Sequence, residues 1–280
     1  MADGLAAKHY ENFPVASWLC PPHLRAPIAA IYKFARTADD IADEGDAAPQ
    51  QRLDDLAAMR EDLLRVSGGQ PHSGRWPEIF DPLTPVLGQF KLPVNLLTDL
   101  LCAFEQDVAK TRDHASYASH AELLDYCRQS ANPIGRLLLH LYGVSDEPSL
   151  AMSDNICTAL QLINFWQDLG GDLARGRNYL PEDECARFQV TAAQLRAASP
   201  STTALSMVAT QVGRAKTMMH LGAPLAKRVP GRAGWELRMV VQGGLRIIDK
   251  IERLNFNTFS SRPKITATDV PLMFWRALWM

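Results

Sequence analysis

Apolar residues along this chain recur every three or four positions, and stretches alternating at strand period are scarce. That pattern predicts an all-α fold. Pro21, Pro22 and Pro27 punctuate the entry to a first long helix, whose inward face carries Ile28, Ile31, Tyr32, Ala35, Ala38 and Ala42 and which ends near Gly45. Gln51 to Val66 reads as an amphipathic helix with Leu53, Leu56, Met59, Leu63 and Leu64 on one side. Ser67 to Arg75 is a loop, and Pro82, Pro85 and Pro93 are expected to keep the following segments short. Val94 to Val108 restores a clear helix. Ala121 to Tyr142 is helical with a kink or break at Pro133, which lacks an amide proton and crowds the preceding turn. Asp154 to Leu173, Thr203 to Leu221 and Gly234 to Leu254 complete the predicted bundle before a polar tail.

Composition narrows the partners more than the fold. Of 280 residues, 47% are hydrophobic and 21% charged, enough to bury a large core, and no shift in composition splits residues 1–280 into two domains. A net charge of -2 without any basic run argues against nucleic acid and for a small-molecule partner. Cys20, Cys102, Cys127, Cys157 and Cys185 are scattered without CxxC spacing, as expected of reduced thiols in a cytoplasmic protein. Met1 to Lys8 lacks the pattern of a signal peptide, and no apolar window reaches the length of a membrane span. The expected location is cytoplasmic, at most attached to the inner face of a membrane.

The chemistry concentrates in two acidic stretches, Arg36 to Glu44 and Gln161 to Asp172. At about 100° per residue, Arg36, Asp39, Asp40 and Asp43 share one face of their helix, and Gln161, Asn164, Asp168 and Asp172 form a still narrower stripe on theirs. A single acidic run is more often a solvated outer face. The second stripe, however, is flanked by Leu162, Phe165, Trp166 and Leu169 and lacks the Lys or Glu partners of a solvated helix. Buried carboxylates need cations, and Arg36 is the only basic residue in either stripe. Mg²⁺ bridging carboxylates to a substrate diphosphate meets that need.

Three segments together resemble the squalene/phytoene synthases, the trans-isoprenyl diphosphate synthases that join prenyl chains head to head. Ala30 to Glu44 is similar to that family's first aspartate-rich motif, and Gln161 to Pro181, with Asp168, Asp172, Gly176, Arg177, Tyr179 and Pro181, to the second. Asp125-Tyr126-Cys127 through Pro133-Ile134-Gly135 resembles its cavity-lining helix. The likeness runs from about residue 9 to 265, leaving 266–280 as a tail. His9 to Ser17 looks like the branch of bacterial hydroxysqualene synthases of hopanoid biosynthesis. Gln167 departs from the condensing relatives, which generally carry Arg before the Asp at position 168. Less positive charge suits a step that handles one diphosphate.

The resemblance implies an isoprenoid synthase bundle around a central cavity and an enzyme that ionises presqualene diphosphate, rearranges the cation and captures it with water. Asp39, Asp43, Asn164, Asp168 and Asp172 would ligate Mg²⁺, with Asp40 a second-rank ligand that can instead pair with Arg36. Arg36 and Arg177 would bind the diphosphate, and Tyr126, Arg36 and Asp168 would take part in catalysis. His9, Asn12, Gln161, Gln167 and Phe165 complete the expected substrate site. Phe13, Tyr32, Phe34 and Trp166 are further aromatic candidates, for which core packing is the competing reading. Condensation of two prenyl diphosphates and a non-catalytic helical scaffold are the alternatives. Functional association with neighbouring pathway enzymes is also implied. The tail from Pro271 to Met280, rich in large apolar residues with one Arg, suits either a membrane interface or a helix docked on the bundle.

Overall fold

Proline opens most of the long helices. The structure is a computed structural model that describes residues 20–195 and 200–280. Its helices are α1 (Pro22–Asp43), α2 (Pro49–Ser67), α3 (Pro77–Phe90), α4 (Val94–Asp113), α5 (His120–Ser130), α6 (Asn132–Leu141), α7 (Glu147–Ala174), α8 (Glu182–Arg187), α9 (Ala192–Leu195), α10 (Thr202–Gly222), α11 (Arg232–Arg253) and α12 (Val270–Leu278), with no strand among the described residues. In α1, α2, α3, α6, α7 and α12 a proline stands in the first two positions, where its missing amide proton would have had no intrahelical partner. Side chains of Ser119, Asp146 and Ser201 cap α5, α7 and α10 by accepting from the amides of Glu122, Ser149 and Ala204.

The expected break falls before Pro133, with Ala131 separating α5 from α6. Pro82 and Pro85 behave differently from expectation: α3 continues through both. Pro82 cannot donate to the carbonyl of Glu78, but Lys33 Nζ donates to that oxygen at 2.9 Å from α1. Burial of Ile79, Phe80, Leu83, Val86 and Leu87 holds the helix together; tertiary packing overrides the local penalty.

Two apolar clusters result. One is built by α1 to α4, the other chiefly by α5, α7, α10 and α11. α6 joins them, giving Leu137 and Leu141 to the first and Leu139 to the second. α6 approaches α7 closely because Gly135 has no side chain; a Cβ there would overlap Ser153 Oγ and Cys157 Sγ.

After α11, Asn255 and Phe256 adopt left-handed conformations (φ 51° and 62°) and turn the chain back over α7. Gly170 lies under that crossing: its amide donates to the Thr258 carbonyl at 3.2 Å, and a Cβ would overlap the Phe259 carbonyl oxygen. Asp269 anchors the far end. Its carboxylate, in a residue 2% exposed, accepts from Arg246 Nε at 2.7 Å and the Thr266 amide at 2.7 Å and pairs with Lys250 Nζ at 2.5 Å. The tail then docks on α11 as α12 through Met273 and Ala277, while Phe274, Trp275, Leu278 and Trp279 remain 54%, 58%, 44% and 75% exposed. Docking is therefore observed, yet the outer apolar face stays uncovered. No helix among the described residues is long and apolar enough to cross a membrane.

Burial alone would raise the pKa of Asp269, but hydrogen bonds from Lys250, Thr266 and Arg246 outweigh it and hold the carboxyl well below its ordinary range. A depressed folded pKa stabilises fully above the unfolded value of about 4 and is lost as pH falls through the folded one. Asp269→Asn should cost about 3–5 kcal/mol in urea unfolding at pH 7, the scale for removing one partner of a buried pair. The difference from wild type should shrink below about pH 4; an unchanged midpoint at pH 7 would contradict the anchoring role.

Candidate active site

Between α1, α5, α6, α7 and α11 lies a cavity of about 380 Å³. Its walls are mostly apolar, with Ile31, Phe104, Leu139, Ile156, Leu160 and Leu237 among them, and Tyr32 and Tyr142 adding aromatic surface. Arg36, Asp39, Tyr126, Gln161 and Asn164 are also in the lining, on α1, α5 and α7. One wall can therefore meet an anion while the others enclose hydrocarbon.

Arginines from other parts of the chain meet the acidic stripes. Arg36 reaches Asp39 at 3.1 Å and Asp40 at 2.6 Å. Arg177, beyond α7, grips Asp43 with two bonds of 2.8 Å. This bond ties the end of α1 to the segment after α7. Arg262, on the segment after α11, pairs with both oxygens of Asp168, its Nη2 lying 3.0 Å from Oδ2. Burial, then Asp43, push the Asp39 pKa up to about 6 against the pull of Arg36. Burial and Asp168 raise Asp172 likewise to about 6, against Arg177 and Arg175.

Asp107 on α4 was not expected. It accepts a 2.6 Å hydrogen bond from Tyr126 Oη, and burial, with Asp43 and Asp39 nearby, raises its pKa to about 8 although that hydrogen bond opposes the shift. Behind Tyr126 stand Tyr117 at 5.6 Å and Phe165 at 6.1 Å between ring centroids, and Phe165 stacks on Tyr179 at 3.8 Å. The sequence signal for Asp107 is a lone carboxylate on the face of α4 that otherwise carries Leu96, Leu100, Phe104 and Val108.

Two expected substrate contacts fall elsewhere. Gln167 is buried and its amide donates to the Pro263 carbonyl at 2.7 Å, so its side chain holds the chain after α11 and does not face the cavity. Phe165 belongs to the aromatic cluster behind Tyr126 and is absent from the cavity wall. Phe34 packs edge-on against Phe80 and Trp166 is fully buried, which makes both core residues. His9, Asn12 and Phe13 lie outside the described residues.

Among the described residues no three His, Cys, Asp or Glu side chains converge into a ready-made cage. The donor set nevertheless fits Mg²⁺, which takes one or two carboxylates and completes its octahedron with water and substrate phosphate. Crowded carboxylates with raised pKa values on both helices are the chemistry that such a cation relieves.

Comparison with known proteins matches residues 6–269 to the squalene/phytoene synthase family model. The chain belongs to that family. It is an enzyme class that acts on prenyl diphosphates. Hydroxysqualene synthases of Sinorhizobium fredii and Rhodopseudomonas palustris are each 35% identical, covering 88% and 86% of this chain and 80% of each relative. The chloroplastic phytoene synthase of Narcissus pseudonarcissus is 25% identical over 98% of this chain and 65% of its own length. The crystal structure of squalene synthase HpnC from Alicyclobacillus acidocaldarius superposes with a TM-score of 0.79 at 34% identity, over 89% of this chain and 90% of that one.

Asp107→Asn keeps an acceptor for Tyr126 and removes the titratable carboxyl. Above pH 8, where the wild-type carboxyl is ionised, pyrophosphate release should fall about 10–100-fold, the scale of a hydrogen bond to a charged group, while thermal stability holds or rises because a desolvated carboxylate is gone. Full activity in the variant would remove Asp107 from the site.

Proposed function

We propose that this enzyme converts presqualene diphosphate and water to hydroxysqualene and diphosphate, as a step of hopanoid biosynthesis. The observation that carries the reading is the 35% identity to hydroxysqualene synthases over most of their length, together with a cavity that joins a diphosphate-suited polar wall to apolar walls. Asp39, Asp43, Asn164, Asp168 and Asp172 would hold Mg²⁺, with Asp40 left to Arg36, and the cation would supply Lewis-acid stabilisation to the departing diphosphate.

Arg36 and Arg177 add charge-assisted hydrogen bonds to the diphosphate oxygens as the carbon–oxygen bond breaks. The cyclopropylcarbinyl cation then rearranges between apolar walls that keep bulk water away. Tyr32 and Tyr126 offer ring faces to the positive charge. Addition of one water forms the new carbon–oxygen bond and releases one proton. Gln161 and Asn164, amides in the cavity lining, are the groups suited to hold that water or a diphosphate oxygen.

Condensation of two prenyl diphosphates is the second reading, and one observation favours it. Arg262 supplies a cation at Asp168, so Gln167 does not leave this end of the site short of charge. Reaction with presqualene diphosphate and with farnesyl diphosphate separately, in ¹⁸O water with Mg²⁺, decides between them. Labelled hydroxysqualene from presqualene diphosphate is expected; product from farnesyl diphosphate alone would establish condensation instead. Asp43→Ala and Asp168→Ala should each abolish turnover with the helical signal intact.

An apolar product also suits release at a bilayer. The uncovered face of α12 sets Phe274, Trp275 and Trp279 beside Arg276 and Arg238, with no acidic residue from Val270 to Met280, the composition of a membrane interface with anionic lipid. Replacing Trp275 and Trp279 with Ser should reduce partitioning onto anionic vesicles while activity on detergent-dispersed substrate persists. Unchanged partitioning would remove the membrane contact.

A further inference from the structure

α1 ends on the wrong charge for a helix. Its last turns carry Asp39, Asp40 and Asp43 with no basic residue in the final turn, although the carbonyl end of a helix favours a cation. The compensating charge comes from α2. Arg52, only 9% exposed, donates from Nη1 to the Ile41 carbonyl at 2.8 Å and the Glu44 carbonyl at 2.9 Å, from Nη2 to the Gly45 carbonyl at 2.6 Å, and from Nε to the Ala47 carbonyl at 3.0 Å. Four of its five donors are thereby used on main-chain oxygens, and among the described residues no carboxylate pairs with it. The chain from Ile41 to Ala47 wraps the guanidinium, turning at Gly45 with φ 74°. α2 itself is anchored by Leu56, Met59 and Leu63, all fully buried, which fixes where the guanidinium stands.

We propose that Arg52 is a positioning residue for the cation site, fixing the end of α1 so that Asp43 faces the segment after α7. The inference rests on Asp43 being a cation ligand, as in the function proposed above. Asp43 is the last residue of α1, between the Ile41 and Glu44 carbonyls that Arg52 Nη1 holds. Arg177 grips its side chain, but that hold is exchangeable, because a cation on the carboxylate competes with the guanidinium. Arg52 holds the main chain on both sides of Asp43, and nothing that binds the carboxylate competes with it. The placement of Asp43 is therefore kept whichever partner its side chain has. Arg52 is no part of the cavity wall, so it acts on the site only through α1.

A residue that positions Asp43 sets the affinity of each site, whereas one that only stabilises the fold sets how many molecules are competent. Calorimetry with Mg²⁺ and inorganic pyrophosphate separates the two, since it yields both the dissociation constant and the number of sites. Arg52→Lys keeps the charge but loses the planar fork that reaches several carbonyls at once. Affinity should fall about tenfold, the scale of a hydrogen bond from a charged group, with the number of sites near that of wild type. Gly45→Ala disturbs the same turn from its other side: nothing crowds a Cβ there, but φ 74° is unfavourable to any residue that has one. It should weaken binding several-fold and add little to Arg52→Lys, because both act on one turn.

Unchanged affinity in Arg52→Lys, with or without fewer competent sites, would overturn the proposal and leave the functional reading standing. So would effects of Arg52→Lys and Gly45→Ala that multiply. Asp43→Asn is the arm that tests the site itself. Unchanged binding of Mg²⁺ and pyrophosphate in that variant would remove the ligand role of Asp43 and the positioning role of Arg52 with it.

Discussion

The interaction on which the rest depends is repulsion among carboxylates that two helices force together. Among the described residues, Asp39, Asp40 and Asp43 on α1 and Asp168 and Asp172 on α7, with Asp107 on α4 beside them, outnumber the three guanidiniums in contact with them. Burial first, and then like charges at short range, raise the pKa values of Asp39, Asp107 and Asp172. Such an arrangement costs stability in the empty enzyme. It persists because α1 and α7 are anchored by apolar cores on their other faces, with Phe34 and Ala38 on one and Leu162, Trp166 and Leu169 on the other.

The arginines follow from that constraint. None of the three stands on the same helix as the carboxylate it serves except Arg36; Arg177 comes from the turn after α7 and Arg262 from the segment after α11. Ion pairs of this partly exposed kind contribute little to stability on their own. Their value lies in placement: each guanidinium stands at a carboxylate to which the proposed function assigns the cations of a diphosphate. Affinity gained through preorganised groups is not spent on ordering them.

What could be read from the residues divides along the range of the interactions involved. The long helices α1, α2, α4, α10 and α11, the break before Pro133 and the grouping of each acidic stripe on one helix depend on spacing within one segment and are legible there. The continuity of α3 through Pro82 depends on Lys33 from another helix. Gln167 is the clearest case. Its neighbour Asp168 belongs to the acidic stripe, yet one step along an α-helix is a rotation of about 100°, enough to carry the side chain from the stripe to the segment after α11.

The position of Arg262 also changes how charge should be counted in a site of this type. A motif records the cations on the helix it spans, and by that count the second acidic helix lacks one. The folded chain brings one back from residues far along the sequence, and it does so through the amide that stands at the deficient position. Gln167 and Arg262 are therefore one feature in two pieces. Position 167 is 6% exposed and its side chain faces the Pro263 carbonyl, so a longer guanidinium there would need further acceptors for its five donors. Neither Gln167 nor Arg262 can be interpreted without the crossing at Gly170 that brings them together.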